Sequence, residues 1–168
     1  MTATGVGGWP GTDAREAAQI AAATCEGLPH LVELPERGPG GDMIGRTMAR
    51  LAAVSADMSV TTVPSGWRMS AGYGRDLRRA DSFWREDLDA LEEALAGYRG
   101  ACKVQLVGPW SLAASVEDRA GERLLRDHGA VRDVAGALCQ AVQELTGEMR
   151  RRLPDVTTVL QIDEPLLA

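Results

Sequence analysis

The chain has 168 residues, and its 18 Lys and Arg residues against 24 Asp and Glu residues give a formal net charge of −6. Nucleic-acid binding is not expected, because it depends on clustered basic residues that this chain lacks. The longest apolar stretches fall well short of the roughly 20 residues of a membrane-spanning helix, and the N-terminal residues do not have the pattern of a secretory signal. We therefore expect a cytoplasmic protein that binds neither nucleic acid nor membranes.

Composition and cysteine usage predict an ordinary folded domain. Apolar residues make up 45% of the chain and charged residues 25%, as in typical globular proteins, and we interpret residues 1–168 as a single domain. Aromatic residues are only 4%, which favours helices packed on a small sheet. Cys25, Cys102 and Cys139 form no C-x-x-C pair and have no histidine at ligand spacing, so we predict neither a disulfide nor a metal site.

Turn and cap residues predict strands that alternate with helices. Residues 3–7 form a short apolar strand that runs into a glycine-rich turn, and helix-forming residues 14–26 follow. Residues 55–80 are the least regular part, with a possible strand at residues 59–63 and a glycine-punctuated loop at residues 65–79. The other predicted elements are a strand at 30–34, a helix at 43–54, a helix from Asp81 to about residue 96, a strand at 101–107, a short helix at 111–116, a long helix at 127–152 and a strand at 157–162.

This alternation predicts an α/β fold with parallel strands, because parallel neighbours need a helical crossover. Every predicted strand ends in a glycine-rich or polar element, and loops at the C-terminal ends of parallel strands build active sites. About four strand–helix units correspond to the first half of a (β/α)8 TIM barrel. The last strand leads into Asp163, Glu164 and Pro165 and no covering helix follows, so we expect the chain to be the N-terminal half of a larger catalytic barrel.

Three motifs stand at the ends of predicted strands: GGWP at residues 7–10, KVQLVGP at residues 103–109 and QIDEP at residues 161–165. Together they resemble the catalytic barrel of cobalamin-independent methionine synthase, in the superfamily that includes uroporphyrinogen decarboxylase. The resemblance covers almost the whole chain but only the first half of that barrel. It implies a methyltransferase of methionine biosynthesis, in which zinc lowers the pKa of the homocysteine thiol and the thiolate accepts a methyl group from methyltetrahydrofolate.

The resemblance also implies residues that bind homocysteine or methionine. Asp163 matches the family aspartate that receives the substrate's amino group, which is a charge-assisted hydrogen bond. Glu33 and Glu36 flank the loop where the family has a glutamate near homocysteine, and we favour Glu36. The backbone amides that hold the substrate carboxylate in the family correspond here to those of Val6, Gly7 and Gly8, where Gly8 replaces a serine.

Four positions correspond to contacts with the folate donor. Residues 66–76 are similar to a family loop with an Arg-Cys pair, of which Arg75 takes the arginine place and Asp76 the cysteine place. Ser115 stands where the family has a tryptophan, and the neighbouring Trp110 offers a flat face for stacking on a pterin ring. Packing of Trp110 into the core is the alternative interpretation.

In the family, the His, Cys, Glu and Cys ligands of zinc come from the second half of the barrel. This half is therefore expected to bind no cofactor itself, and we interpret His30 and His128 as solvated loop residues because neither has a cysteine two residues away. The first and fourth strands would be open edges of a half barrel. We expect a homodimer, or pairing with the C-terminal half, to close them.

Two other functions are compatible with the sequence. The first is a uroporphyrinogen decarboxylase-like enzyme, which needs arginines near the first loop for its carboxylate-rich substrate, whereas the first arginine here is Arg15, on a predicted helix. The second is a non-catalytic or truncated α/β module that binds a small amino acid or only its own partner half.

Overall fold

The computed structural model of the chain describes residues 3–167. Within that range the helices are α1 (Ala14–Thr24), α2 (Met43–Val54), α3 (Arg75–Ala94), α4 (Pro109–Ser115) and α5 (His128–Arg152), with 3-10 turns at Pro35–Arg37, Ala56–Met58 and Leu124–Arg126. The strands are β1 (Val60–Val63), β2 (Gly66–Met69), β3 (Ala101–Val107), β4 (Val116–Glu117) and β5 (Thr157–Asp163). The chain is an α/β protein, as predicted. None of the helices in the described range combines the length and the apolar character needed to cross a membrane.

Aspartates begin three of the helices. The carboxylate of Asp13 accepts hydrogen bonds from the Arg15 and Glu16 amides at 2.9 and 3.0 Å. Asp42 caps α2 and Asp127 caps α5 in the same way. These side chains satisfy N–H groups that have no partner inside the helix, which explains why the starts of α1, α2 and α5 could be predicted.

A parallel arrangement joins four segments in chain order. β3 pairs with β5 in parallel over their full lengths, from Ala101 opposite Thr157 to Val107 opposite Asp163. The second extended segment, residues 29–34, joins β3 through a parallel bridge at His30, and the first extended segment, residues 3–9, joins the second through a parallel bridge between Gly8 and Glu33. Among these four segments, each neighbour in space is therefore also the next in sequence, while β1, β2 and β4 form a separate sheet.

The predicted strands at residues 3–7 and 30–34 are not regular strands. Isolated bridges hold them, with the Glu33 amide donating to the Gly7 carbonyl at 2.9 Å and the Trp9 amide donating to the Glu33 carbonyl at 2.8 Å. Glycines in the first segment weaken strand formation, and Pro29 and Pro35, which lack an N–H, bracket the second.

Residues 55–80 form a small second sheet and the start of α3. β1 and β2 are an antiparallel hairpin, and β2 also pairs in parallel with β4. The possible strand at residues 59–63 is confirmed, but the loop predicted at residues 65–79 is wrong, because Gly66–Met69 is a strand and α3 begins at Arg75 instead of Asp81. Burial explains both differences, since Trp67 and Leu77 are packed in the core.

Alternation along β3 gives the main sheet one apolar and one polar face. Cys102, Val104 and Leu106 belong to a core that also includes residues of α2, α3 and α5. The intervening Lys103 and Gln105 face the other way, together with residues such as Gln161 that lie opposite them in the β3–β5 register. Both side chains are nevertheless buried. A polar interior therefore lies beneath the C-terminal ends of the parallel segments.

Candidate functional site

A cavity of about 580 Å³ opens where the parallel segments end. Three of the four parallel segments contribute to its wall, with Gly8 from the first, Glu33 from the second and Asp163 from the end of β5. Three of the predicted site residues, Val6, Gly8 and Asp163, thus lie on one rim. The lining residues are Val6, Gly8, Glu33, Pro35, Asp42, Met43, Asp163, Glu164 and Pro165.

Two of the four carboxylates in the wall are engaged in holding loops. Asp42 accepts hydrogen bonds from the Gly45 amide at 2.8 Å and the Gly40 amide at 3.0 Å. Glu164 accepts from the Trp110 and Ser111 amides at 3.1 and 2.7 Å. Each of these two carboxylates therefore accepts two hydrogen bonds from backbone amides at or near the start of α2 or α4. We therefore interpret Asp42 and Glu164 as residues that position the loops around the cavity rather than residues that contact a ligand.

If strand alternation continued past Asp163, Glu164 would face the opposite way from Asp163, but the structure shows a different orientation. Glu164 lies in the cavity wall beside Asp163, because strand alternation ends with β5 and the chain turns so that the Glu164 side chain reaches the start of α4. Gly108 permits this approach, since a Cβ there would lie 2.2 Å from a Glu164 carboxylate oxygen.

Glu33 and Asp163 are the carboxyl groups that remain for a ligand. Burial raises the pKa of Glu33, and attraction by the buried guanidinium of Arg46 opposes that shift. Asp163 is half-buried, and one of its oxygens accepts a hydrogen bond from the Gln161 amide at 2.6 Å. With apolar surface from side chains such as Met43 close by, this wall suits a ligand with one positive charge and an apolar part.

The turn at the end of the first segment contributes Val6 and Gly8 to the cavity wall. Gly7 has a φ of 138°, a conformation that side-chain-bearing residues rarely adopt. A Cβ at Gly7 would also lie 2.7 Å from the Gln105 side-chain nitrogen. The amides of Gly7 and Gly8 donate to no backbone acceptor within residues 3–167. Gly8 lines the cavity, whereas Gly7 is buried and is not among the lining residues of the described chain.

Glu33, and not Glu36, lines the cavity. The preference for Glu36 is therefore not supported: Glu36 is exposed in the 3-10 turn Pro35–Arg37, and it is absent from the lining residues within the described part of the chain. The turn changes the direction of the chain immediately after the second segment. Glu33 lies before it, at the Gly8 bridge, and is buried to 8% exposure.

The four positions predicted for folate lie outside the walls of this cavity. Asp76 is engaged elsewhere, as it accepts hydrogen bonds from the Thr62 amide and from the Thr61 and Thr62 hydroxyls, each at 2.9 Å, and these bonds lower its pKa. Asp76 therefore connects β1 to the start of α3. Arg75 precedes it with a side chain that is 91% exposed.

The other two folate positions differ from each other in exposure. Trp110 is 47% exposed, so the alternative of core packing does not apply to it, and its amide bonds to Glu164 at the cavity rim. Ser115 is half-buried at the end of α4, where its carbonyl accepts a hydrogen bond from Arg123 at 2.6 Å.

Sequence reasoning missed the polar residues beneath the cavity. His30 is 1% exposed and is not a solvated loop residue, because it lies against Gly5 and its ring is 6.2 Å from the ring of Trp9. Lys103 and Gln105 alternate with apolar residues in the sequence ACKVQLV, and that pattern was a signal that one face of β3 is polar.

The residues that the structure describes do not fit a zinc site. Within residues 3–167, no group of three or more His, Cys, Asp or Glu side chains is placed to hold a metal ion. Cys25 and Cys102 are both buried, and burial raises the pKa of Cys102 to about 12, which disfavours the thiolate that zinc binds.

The arrangement as a whole can bind a small zwitterion. Its parts are free turn amides for a carboxylate, Glu33 and Asp163 for an ammonium group, and an apolar wall for a side chain. Among the described residues, the side chains that line the cavity include no Ser, Thr, Cys or Lys that could act as a nucleophile. Comparison with protein-family models, curated proteins and solved structures found no match for this chain.

Proposed function

We propose that this chain is the substrate-binding half of a (β/α)8 methyltransferase barrel of the cobalamin-independent methionine synthase type, and that it binds homocysteine or methionine. The observation that carries the proposal is the cavity in which the Val6–Gly8 turn and Asp163 share one rim. Both positions were matched to the family from sequence motifs alone. A uroporphyrinogen decarboxylase-like activity is less well supported, because the wall carries carboxylates where that reaction needs arginines.

The proposed binding mode uses the two ends of the amino-acid backbone. The ligand carboxylate accepts hydrogen bonds from the turn amides of Gly7 and Gly8, and the ammonium group donates to Asp163 and Glu33. The apolar side chain lies against Met43 and Pro35. Charge-assisted contacts in a partly buried cavity supply both affinity and orientation.

The half-barrel proposal rests on the order of the parallel segments. Sequential parallel neighbours with helices between them are the connectivity of a (β/α)8 barrel. β5 pairs only with β3 within the described residues, and the first segment pairs only with the second. We propose that these two open edges pair with a second copy of the chain or with a C-terminal half.

Folate contact is proposed for the rim next to α4. Trp110 is exposed and adjoins Glu164 of the cavity wall, so its ring can stack on a pterin held over the bound amino acid. Arg75, Asp76 and Ser115 are assigned to folate only through the resemblance.

Zinc would supply a thiolate at neutral pH in the family reaction. Because the side chains described here do not fit a zinc site, we propose that the ligands belong to a second half, and the role of this chain is to bind and orient the amino acid. The purified chain, dialysed and analysed by atomic emission, is then expected to carry no stoichiometric zinc. One zinc ion per chain would contradict this division of roles.

Calorimetric titration with L-methionine tests the proposed function directly. Asp163→Ala removes the acceptor for the ammonium group, and we expect roughly a tenfold to hundredfold loss of affinity. Asp155→Ala is the matched control, because it makes the same charge change at a side chain that is 69% exposed and paired only loosely with Arg99. Equal affinity of the Asp163→Ala and Asp155→Ala proteins would exclude the proposed site.

A further inference from the structure

A buried lysine and a glutamine connect the two halves of the candidate site. Lys103 is 4% exposed, and its ammonium group contacts the Gly5 carbonyl and, at 2.6 Å, the side-chain oxygen of Gln161. The side-chain nitrogen of Gln161 donates to the Val6 carbonyl at 2.9 Å and to Asp163 at 2.6 Å. We call Lys103 and Gln161 the clamp. It touches the first segment, β3 and β5 at once.

The chemistry of these groups dictates how the clamp is oriented. A lysine ammonium group only donates hydrogen bonds, so Gln161 must present its carbonyl oxygen to Lys103. Its NH2 group is then directed at the two acceptors, the Val6 carbonyl and the Asp163 carboxylate. Both protons of that NH2 group are used, one on each side of the candidate site. Lys103 therefore determines that Gln161 directs its NH2 group toward the site, although Lys103 is not itself part of the cavity wall.

The clamp compensates for weak pairing of the first segment. That segment joins the rest of the sheet through one backbone bridge, at Gly8 and Glu33. Regular ladder bonds therefore do little to set the distance between the Val6–Gly8 turn and β5. The contacts of Lys103 and Gln161 with Gly5 and Val6 supply that constraint. The same glutamine holds one oxygen of Asp163 and leaves the other for a ligand.

We propose that Lys103 and Gln161 are positioning residues that set the spacing between the Val6–Gly8 turn and Asp163. This spacing selects ligands that carry an ammonium and a carboxylate group on the same carbon. The inference rests on the proposed function, because it assigns the turn to the carboxylate and Asp163 to the ammonium group. Neither clamp residue touches the ligand in this arrangement.

Gln161→Glu is the most informative substitution. It keeps the size of the side chain and an oxygen for Lys103, but it puts an oxygen where the NH2 group donates to Val6 and Asp163. Lys103→Met removes the donor that orients Gln161, and Lys103→Arg keeps donors at that place. Gln19→Glu, at an exposed position on α1, is the matched control for the amide-to-carboxylate change.

The measurement compares three ligands by calorimetry: L-methionine, 3-(methylthio)propylamine, which lacks the carboxylate, and 4-(methylthio)butanoate, which lacks the amine. In the wild-type protein we expect methionine to bind more tightly than either fragment. In Gln161→Glu and Lys103→Met, we expect the preference for methionine over the amine fragment to fall roughly tenfold or more. Lys103→Arg should restore most of that preference, and Gln19→Glu should leave it unchanged. If Lys103 and Gln161 had only a structural role, their substitution would lower the affinity for all three ligands by similar factors.

A second measurement does not depend on a ligand. In the NMR spectrum, the side-chain NH2 signals of Gln161 should be well separated from those of exposed glutamines and should exchange slowly with water, because both protons are bonded. Lys103→Met should remove that separation. Thermal melting of each variant identifies any that fail to fold, and Gln161→Glu and Lys103→Met test the inference independently of each other.

The outcomes separate this inference from the proposed function. If methionine binds and Asp163→Ala abolishes binding, but both clamp variants keep the wild-type preference and Lys103→Met keeps the Gln161 signals, the clamp inference is overturned and the proposed function stands. If the wild-type chain binds no methionine, the proposed function fails. In that case, unchanged Gln161 signals in Lys103→Met would show that Lys103 does not orient Gln161, and altered signals would support the orienting role alone.

Discussion

His30 is a buried histidine whose two ring nitrogens have no hydrogen-bond partner among the described residues. Burial, with a smaller contribution from the Lys103 charge, lowers its pKa below the usual 6.5. The neutral ring is therefore favoured in the folded state. As the pH falls below 6.5, His30 binds a proton in the unfolded chain but not in the folded chain. The free energy of unfolding therefore decreases until the pH passes the lower pKa of the folded state.

Replacing His30 with Phe tests this prediction. Phe fills similar space beside Gly5 and Trp9 and leaves no polar atom unpaired, so we expect little loss of stability at pH 8. Below pH 6.5 the wild-type protein should lose stability relative to His30→Phe, by at most about 1.4 kcal/mol per pH unit. Denaturant unfolding at a series of pH values measures the difference, and all other titratable groups are the same in both proteins. A difference that does not change with pH would contradict the prediction.

The placement of individual candidate residues was predictable where a motif fixes the backbone. The glycine turn at Val6–Gly8 and the QIDEP aspartate lie on one rim, as their positions at strand ends indicated. The choice between Glu33 and Glu36 was not predictable, because it depends on the 3-10 turn at Pro35–Arg37. The burial of His30 depends on contacts with the first segment, which sequence patterns along its own segment do not encode.

Among the elements, α2 and α3 are joined through one buried aspartate. Asp87 of α3 is fully buried and accepts two hydrogen bonds from Arg37, at 2.6 and 2.8 Å, as well as a contact from Arg46 of α2. Arg37 belongs to the 3-10 turn that follows Glu33. Without the Asp87 charge, Arg46 would lose its ion-pair partner and Arg37 would keep only the exposed Glu86, at 3.4 Å.

Asp87→Asn should therefore destabilise the protein by about 3–5 kcal/mol, because breaking a buried ion pair leaves uncompensated charge. Glu122→Gln provides the matched control. It replaces a carboxylate by an amide in an ion pair in which the Glu122 side chain is 60% exposed and the Arg126 side chain is 73% exposed. This variant should change the free energy of unfolding by no more than about 1 kcal/mol. Urea unfolding of the two variants measures both values. Equal, small effects would show that the buried network contributes little.

At the scale of elements, the helices with aspartate caps and the strands with strong apolar runs were predictable. Of the hairpin, β1 was predicted only as a possible strand and β2 was not predicted. β3 and the last strand are found where the apolar runs lie, with β5 one residue longer than predicted. β1 and β2 stabilise each other through cross-strand pairing and the burial of Trp67, which are tertiary effects. The start of α3 was missed for a similar reason, since Leu77 and Ala80 are buried behind a glycine-rich approach.

At the scale of the whole molecule, the main parallel sheet has two edges, β5 and the first segment, that find no partner inside the described residues. The Thr157 amide donates to Gly100, and the Gly108 amide donates to the Asp163 carbonyl. Because backbone groups alternate in direction along a strand, those of Thr158, Leu160 and Ile162 point to the open edge of β5. Apolar side chains that are exposed near the two edges include Val6, Val159, Ile162, Leu166 and Leu167.

An unprotected parallel edge of this kind favours pairing with another chain. Two copies related by a two-fold axis could place β5 of each beside the first segment of the other and form an eight-stranded closed sheet. We therefore expect the purified chain to be a dimer or to aggregate, with a molecular mass that falls toward the monomer only on strong dilution. Light scattering coupled to size exclusion measures this directly.

Thr158→Pro is the decisive variant for this assembly. Proline removes an N–H that points to the open edge and none that bonds to β3, so it should block edge pairing while the fold is kept. Thr158→Val keeps the N–H at the same position and should remain associated like the wild-type chain. Circular dichroism checks that both variants are folded. A wild-type chain that stays monomeric across the dilution series, with the outward amides of β5 protected from hydrogen exchange, would show that the edge is covered within the chain and that the half-barrel proposal is mistaken.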